Sequence, residues 1–176
     1  MKLTPVMERF VLHWGEMGTR WGVNRSVAQV HALLYLAPGP LAADEIVETL
    51  GIARSNVSTG LKELQSWGLI QRVHVMGDRR DHFTAIADTW EMLSLIAEGR
   101  KHREIDPTLT MLRDCVMELT DDRETDPVAA RRIGDMLRFI ETLSTWYDQM
   151  RRLPRRSLVT LIKLGARIEK LLSRVS

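Results

Sequence analysis

Leu50-Gly51-Ile52-Ala53-Arg54-Ser55-Asn56-Val57-Ser58-Thr59-Gly60-Leu61-Lys62-Glu63-Leu64 is the stretch on which the reading of this chain turns. Val57, Leu61 and Leu64 recur every three or four residues, the period of a helix with one buried side, and predict a helix from about Ala53 to Trp67. Burying that side turns Arg54, Ser55, Ser58, Thr59 and Lys62 outward together, with Asn56 at the edge near the helix N-terminus. The outward strip carries two cations, three hydroxyls and no carboxylate. Arg can bond guanine in two places and Asn adenine, and such pairs discriminate by about 1–3 kcal/mol. Hydroxyls and Lys62 suit phosphate oxygens, which fix position rather than sequence. A merely solvated polar face is the bland alternative.

Upstream, Leu3, Val6, Met7, Phe10, Trp14, Met17 and Trp21 form a one-sided helical stripe, opened by Thr4 and Pro5 as cap and first residue. A second helix starts near Asn24 with Val27, Val30, Leu33 and Leu34, and Pro38-Gly39-Pro40 stops it. A third, about Ala42 to Leu50, points Ile46, Val47 and Leu50 inward and ends at Gly51. Downstream the period changes to two. Val73 and Val75 alternate with Arg72 and His74, and Phe83 and Ala85 with His82 and Thr84, around the turn Met76-Gly77-Asp78-Arg79-Arg80; this predicts a β-hairpin. The remainder reads as helices: one opened by Asp88 and Glu91 and carrying Trp90, Leu93 and Ile96; one started by Asp106-Pro107; one started by Asp126-Pro127; and a last one showing Leu158, Ile162, Ile168 and Leu172 on one side.

Helix, short helix, tight turn, helix and hairpin is the order of a winged helix-turn-helix. Leu50 to Ser58, Leu61-Lys62-Glu63-Leu64, Trp67-Gly68-Leu69-Ile70 and Gly77-Asp78-Arg79-Arg80 together resemble the MarR family of bacterial transcription regulators, and most of all its GbsR-like branch. The close match spans roughly residues 24–86. The expected fold is mainly α: residues 21–87 as the winged helix-turn-helix with a small β-hairpin wing, flanked by dimerisation helices in residues 1–20 and 88–176. The resemblance implies a sequence-specific regulator, a repressor by expectation, acting as a homodimer on near-palindromic double-stranded DNA. It also implies an Asp-x-Arg wing entering the minor groove; Asp78, two residues before Arg80, is placed to hold it. Arg79 and Arg80 on a projecting turn fit a narrow groove that attracts guanidinium, and His82 is placed beside phosphate. Two departures stand out: Ala53 where the family often has a capping Ser or Thr, and Gly60 inside the recognition helix.

Some members of that branch respond to choline-like cations, and an aromatic cage is the natural receptor for one. Trp14, Trp21, Trp90, Trp146 and Tyr147 are the candidate rings for such a small-molecule effector; the plainer reading makes them core or dimer interface. A winged helix used only for protein contact is the rival function. It would place acidic or apolar residues where Arg54, Lys62 and Arg80 stand.

The rest of the composition excludes other classes. A hydrophobic fraction of 44% and a charged fraction of 27% over 176 residues describe a globular chain with a real core. The net charge of +2 divides unevenly: residues 1–150 hold 17 Lys/Arg against 22 Asp/Glu, residues 151–176 hold 8 against 1. Arg151, Arg152, Arg155 and Arg156 either reach DNA or an acidic patch on a partner, or form a solvated helix end. The lone Cys115 forms no internal disulfide and reads as a buried, inert thiol. No histidines stand at metal-ligand spacing, and the acidic run Asp121, Asp122, Glu124, Asp126 reads as helix end, loop and cap. Neither a nucleophile elbow nor a phosphate-cradling glycine loop is found, so neither an enzyme nor a cofactor is expected. Apolar runs are too short for a membrane span and the first residues are no secretory signal, so a cytoplasmic protein without membrane contact is expected.

Overall fold

Thr4 opens α1 (Pro5–Arg20), its hydroxyl accepting from the Met7 amide at 3.3 Å with Pro5 just inside the helix. This is the cap-plus-proline start that the residue order predicts. The computed structural model describes residues 1–172, with side chains described to Leu164. Asn24 caps α2 (Arg25–Leu36) by accepting from Ser26 N at 2.9 Å. α1 and α2 pack at very short range, because a Cβ on Gly18 would stand 2.5 Å from the Ala28 Cβ. Only glycine fits that crossing.

The chain then enters a two-residue strand, β1 (Leu41–Ala42), followed by α3 (Ala43–Leu50) and α4 (Arg54–Ser66). β1 is absent from the sequence expectation, since two residues carry no period. β2 (Ile70–Val73) and β3 (His82–Ala85) form the hairpin, antiparallel with Ile70 opposite Ala85 and Val73 opposite His82. β1 joins the other side of β3, Leu41 opposite Phe83, so the sheet order is β1-β3-β2. The strands end earlier than alternation predicts: Val75 lies beyond β2 and is exposed.

The core lies where α2, α3, α4 and the sheet meet. Val30, Leu33, Ile46 and Val57 are fully closed to solvent, and Leu61, Leu64, Leu69, Ile70, Phe83 and Met92 complete it. Residues 1–97 make up one compact unit and residues 98–176 another. The first therefore includes α1 and the start of α5 (Thr89–Arg100). On α5 Met92 is the buried residue, while Leu93, expected on the inner stripe, is exposed.

Asp106-Pro107 does not start a helix. α5 runs through a π-helical segment, Lys101–Ile105, straight into α6 (Asp106–Glu118), with Arg100, Ile105 and Asp106 all in helical conformation. Proline in a continuous helix clashes with the carbonyl four residues back and cannot bond it. A π turn immediately before Pro107 is the local widening that relieves such a conflict. Asp106 is thereby released from capping, and its carboxylate instead holds Lys101 Nζ and His102 Nδ1, each at 2.8 Å. Asp126, by contrast, does cap α7 (Pro127–Arg151), accepting from Val128 N at 2.8 Å. Cys115 on α6 is half-buried rather than buried, its Sγ 3.6 Å from the Met111 sulfur. α8 (Arg155–Leu172) follows; the side chains of Ile168 and Leu172 lie outside the described residues. No helix among the described residues is long and apolar enough to cross a membrane.

Candidate nucleic-acid interface

α4 is anchored from below. Val57, Gly60, Leu61 and Leu64 are buried, and Gly60 faces Val27 and Val30 of α2. Arg54, Ser55, Asn56, Ser58, Thr59 and Lys62 are all exposed on the opposite side. Arg54 and Lys62 have no ion-pair partner among the described residues, so both charges remain available to an incoming anion. The helix begins at Ala53 without a side-chain cap. Its first amide donors therefore point outward unsatisfied by protein, which favours negative charge in front of them.

The wing is stiffened from inside. Gly77, at φ +83°, allows the turn in which Asp78 N donates to Val75 O at 3.1 Å. Asp78 then grips Arg80: its carboxylate accepts from Arg80 N at 2.9 Å, from Nε at 2.9 Å and from Nη2 at 2.7 Å. The Arg80 guanidinium holds the Asp78 carboxyl down to about 2. Arg79, beside it, is exposed and has no ion-pair partner among the described residues.

His82 is not on the wing surface. It is only 5% exposed, with Nδ1 3.0 Å from the Arg80 carbonyl and Nε2 3.4 Å from Asp78 Oδ2. β3 carries it inward opposite Ala42 and Val73, so it braces the turn from behind and is not placed to touch phosphate. Two further groups escaped sequence reasoning. Arg72 on β2 pairs with Asp81 at 3.3 Å, and Asp44 in the first turn of α3 accepts from Arg80 Nη1 at 2.9 Å. A cleft between α3, α4 and the hairpin collects Arg54, Lys62, Arg72 and Arg80 with Asp44 and Asp81. Nothing in the spacing of Asp44 signals its partner 36 residues away.

The sequence profile of the MarR family matches residues 21–81, the segment that holds α2, α3, α4 and most of the wing. That segment of the chain resembles a MarR-family winged helix-turn-helix. MarR proteins are DNA-binding transcriptional regulators rather than enzymes. Along its length the chain is similar to the HTH-type transcriptional repressor GbsR of Bacillus subtilis (strain 168), 24% identical over 142 residues, covering 76% of this chain and 75% of that protein. It is similar also to the HTH-type transcriptional repressor OpcR of the same organism, 19% identical over 136 residues, covering 76% and 74%. A solved structure described as a transcriptional regulator shares the fold at a TM-score of 0.66 and 20% identity, covering 84% of this chain and 96% of its own.

The chain divides the five candidate cage rings between its units. Trp14, Trp21 and Trp90 belong to the first, Trp146 and Tyr147 to the second. Trp14 is stacked on Phe10 at 5.5 Å and lies 6.4 Å from the His31 ring, so it is packed between α1 and α2. Trp21 is half-exposed at the end of α1. Trp146 and Tyr147 are neighbours on α7 and so point about 100° apart; Trp146 is exposed while Tyr147 is half-buried. Of the four arginines near Pro154, Arg151 pairs with Glu98, and Arg152 and Arg156 are exposed.

Proposed function

We propose that this protein is a sequence-specific transcriptional repressor that binds near-palindromic duplex DNA as a homodimer. The observation that carries the reading is the outer face of α4, where Arg54, Lys62, Asn56 and three hydroxyls stand exposed over a closed apolar floor. A helix so presented enters the major groove with its first turn toward the base edges. Arg54 and Asn56 read bases, Lys62 and the hydroxyls take phosphates, and the hairpin reaches the adjacent minor groove with Arg79 as its uncommitted cation. Repression is carried over from the named activities of the two Bacillus relatives.

Dimerisation draws support from α7. Met136, Phe139, Leu143 and Trp146, spaced three and four apart, are each 45–59% exposed. Such a stripe is larger than a lone soluble helix ordinarily leaves open. A two-fold partner covering it would present two recognition helices to one palindromic site.

Fluorescence anisotropy on a duplex from the region upstream of the protein's own gene tests this. Arg54→Ala should weaken binding by about 1–3 kcal/mol, and Asn56→Ala should chiefly flatten the preference over a mixed-sequence duplex. Wild-type affinity should fall with salt at a slope of about −0.9 per phosphate neutralised. Equal affinity of wild type and Arg54→Ala would overturn the assignment of α4, and a monomer at all concentrations in sedimentation would overturn the dimer.

A further inference from the structure

Arg80 is held by two carboxylates from two different elements. Asp78, inside the wing turn, takes the Nε and Nη2 edge. Asp44, on the first turn of α3, takes Nη1 at 2.9 Å. Two negative charges thus surround one positive charge at the tip that faces the proposed duplex, and the cluster as a whole is anionic. Asp78 belongs to the turn and moves with it. Asp44 comes from another element, and half of each side chain in the Asp44–Arg80 pair is open to solvent. Arg80 reaches a groove only by giving up Asp44 or by carrying that carboxylate toward phosphate oxygens, and both oppose binding.

Resting on the DNA-binding reading above, we infer that Asp44 is an electrostatic brake on the wing: it occupies Arg80 in the free protein and yields it only to a duplex. Arg80 holds both Asp44 and Asp78 below the usual carboxylate range, so neither releases it by taking up a proton near neutral pH. The clasp opens to a competing anion, and a DNA backbone supplies one. Arg54, Lys62 and Arg72 line the same cleft and draw that backbone toward the clasp. Arg54, Lys62 and Arg79, which have no ion-pair partner among the described residues, therefore make the first contact, and Arg80 joins afterwards.

The test uses the full chain, a labelled duplex from upstream of its own gene, and a mixed-sequence duplex of the same length. Asp44→Asn keeps an oxygen acceptor for Arg80 and removes only the charge. It should bind the upstream duplex about two- to fivefold more tightly than wild type, the scale of one exposed charge contact, with a salt slope steeper by up to about 0.9. Asp44→Glu, which restores the charge, should return to wild-type affinity or below. Asp44→Ser, with no charge and a shorter side chain, should also bind more tightly, which guards against a folding defect peculiar to the Asn variant. Asp44→Asn and Asp44→Ser binding no better than wild type would overturn the brake while leaving the DNA-binding reading intact. A wild-type chain that binds neither duplex would overturn the reading itself, and the brake with it.

Discussion

In residues 1–97 the apolar stripes end in closed side chains: Val30, Leu33, Ile46 and Val57 are at 0% exposure and Leu64 at 1%. In residues 98–176 the stripes are as regular but remain open. Only Leu109 and Leu112 are buried among the described residues there, and no residue of the 25-residue α7 is. Both units have helices of similar periodicity, so periodicity does not separate them. What separates them is the sheet and the number of elements that meet, so that α2, α3, α4 and β3 cover one another in one cluster. α6 and α7 pack chiefly as a pair, and a pair of helices covers one side of each. The first unit completes its own core, whereas among the described residues the second leaves α7 without a buried side chain.

The strongest way to break that contrast is a matched pair of truncations. Leu33→Ala, in a site closed on every side, should destabilise the protein by about 2–5 kcal/mol in urea unfolding. Phe139→Ala, 59% exposed on α7, should change the unfolding of a dilute monomer by less than about 0.5 kcal/mol. The same Phe139→Ala should weaken self-association in sedimentation, because its ring belongs to the open stripe. Equal losses from the two substitutions would mean that the second unit closes its core unaided.

His31 sharpens the contrast from the other side, since closure in the first unit carries a liability. The ring is 3% exposed, lies between Trp14 and Tyr35, and its Nε2 has no hydrogen-bond partner among the described residues. Burial lowers its pKa from the ordinary 6.5 to about 4. Between those values the unfolded chain binds a proton that the folded chain refuses. Stability contributed by neutral His31 is therefore complete above pH 6.5 and lost as pH falls toward 4, by about 3 kcal/mol in all. His31→Phe keeps a ring between Trp14 and Tyr35 and removes both the proton and the orphan nitrogen. It should flatten this part of the pH profile in urea unfolding at pH 7, 5.5 and 4.5 and be neutral or stabilising at pH 7; an unchanged acid slope would assign the loss to other groups.

The parts of this architecture that were readable in advance are those with a local cause. Thr4-Pro5 and Asp126-Pro127 mark real helix starts because cap and proline act within one turn. The inner face of α4 follows from Val57, Leu61 and Leu64 because their spacing matches the helical repeat. Asp106-Pro107 has the same local signature and no such outcome, since a cap requires that the chain before it be non-helical, and here it is helical already. The exposed polar strip of α4 was legible for the same reason as the buried one, being its complement. The wing was legible only in outline: His82 alternates as an outward residue but is covered by the turn, against the Arg80 carbonyl and Asp78, and Asp44 meets Arg80 only after the fold brings α3 to the hairpin.

The start of α4 is a further local weakness in the well-closed unit, and it yields the smallest effect. Ala53 occupies the cap position with extended backbone, φ −60° and ψ 140°, and offers no side-chain acceptor to the first amides of the helix. Serine adopts that backbone readily and would bond the second or third amide, so Ala53→Ser should raise stability by about 0.5–1 kcal/mol in urea unfolding. Serine is uncharged, so a cost in DNA affinity would not come from repulsion. It would come from the amides themselves: a hydroxyl that satisfies them takes donors that a phosphate would otherwise use. A more stable Ala53→Ser variant with unchanged DNA affinity would mean that these amides do not face the duplex. A more stable variant with weaker binding would mean that the uncapped turn is part of the contact surface.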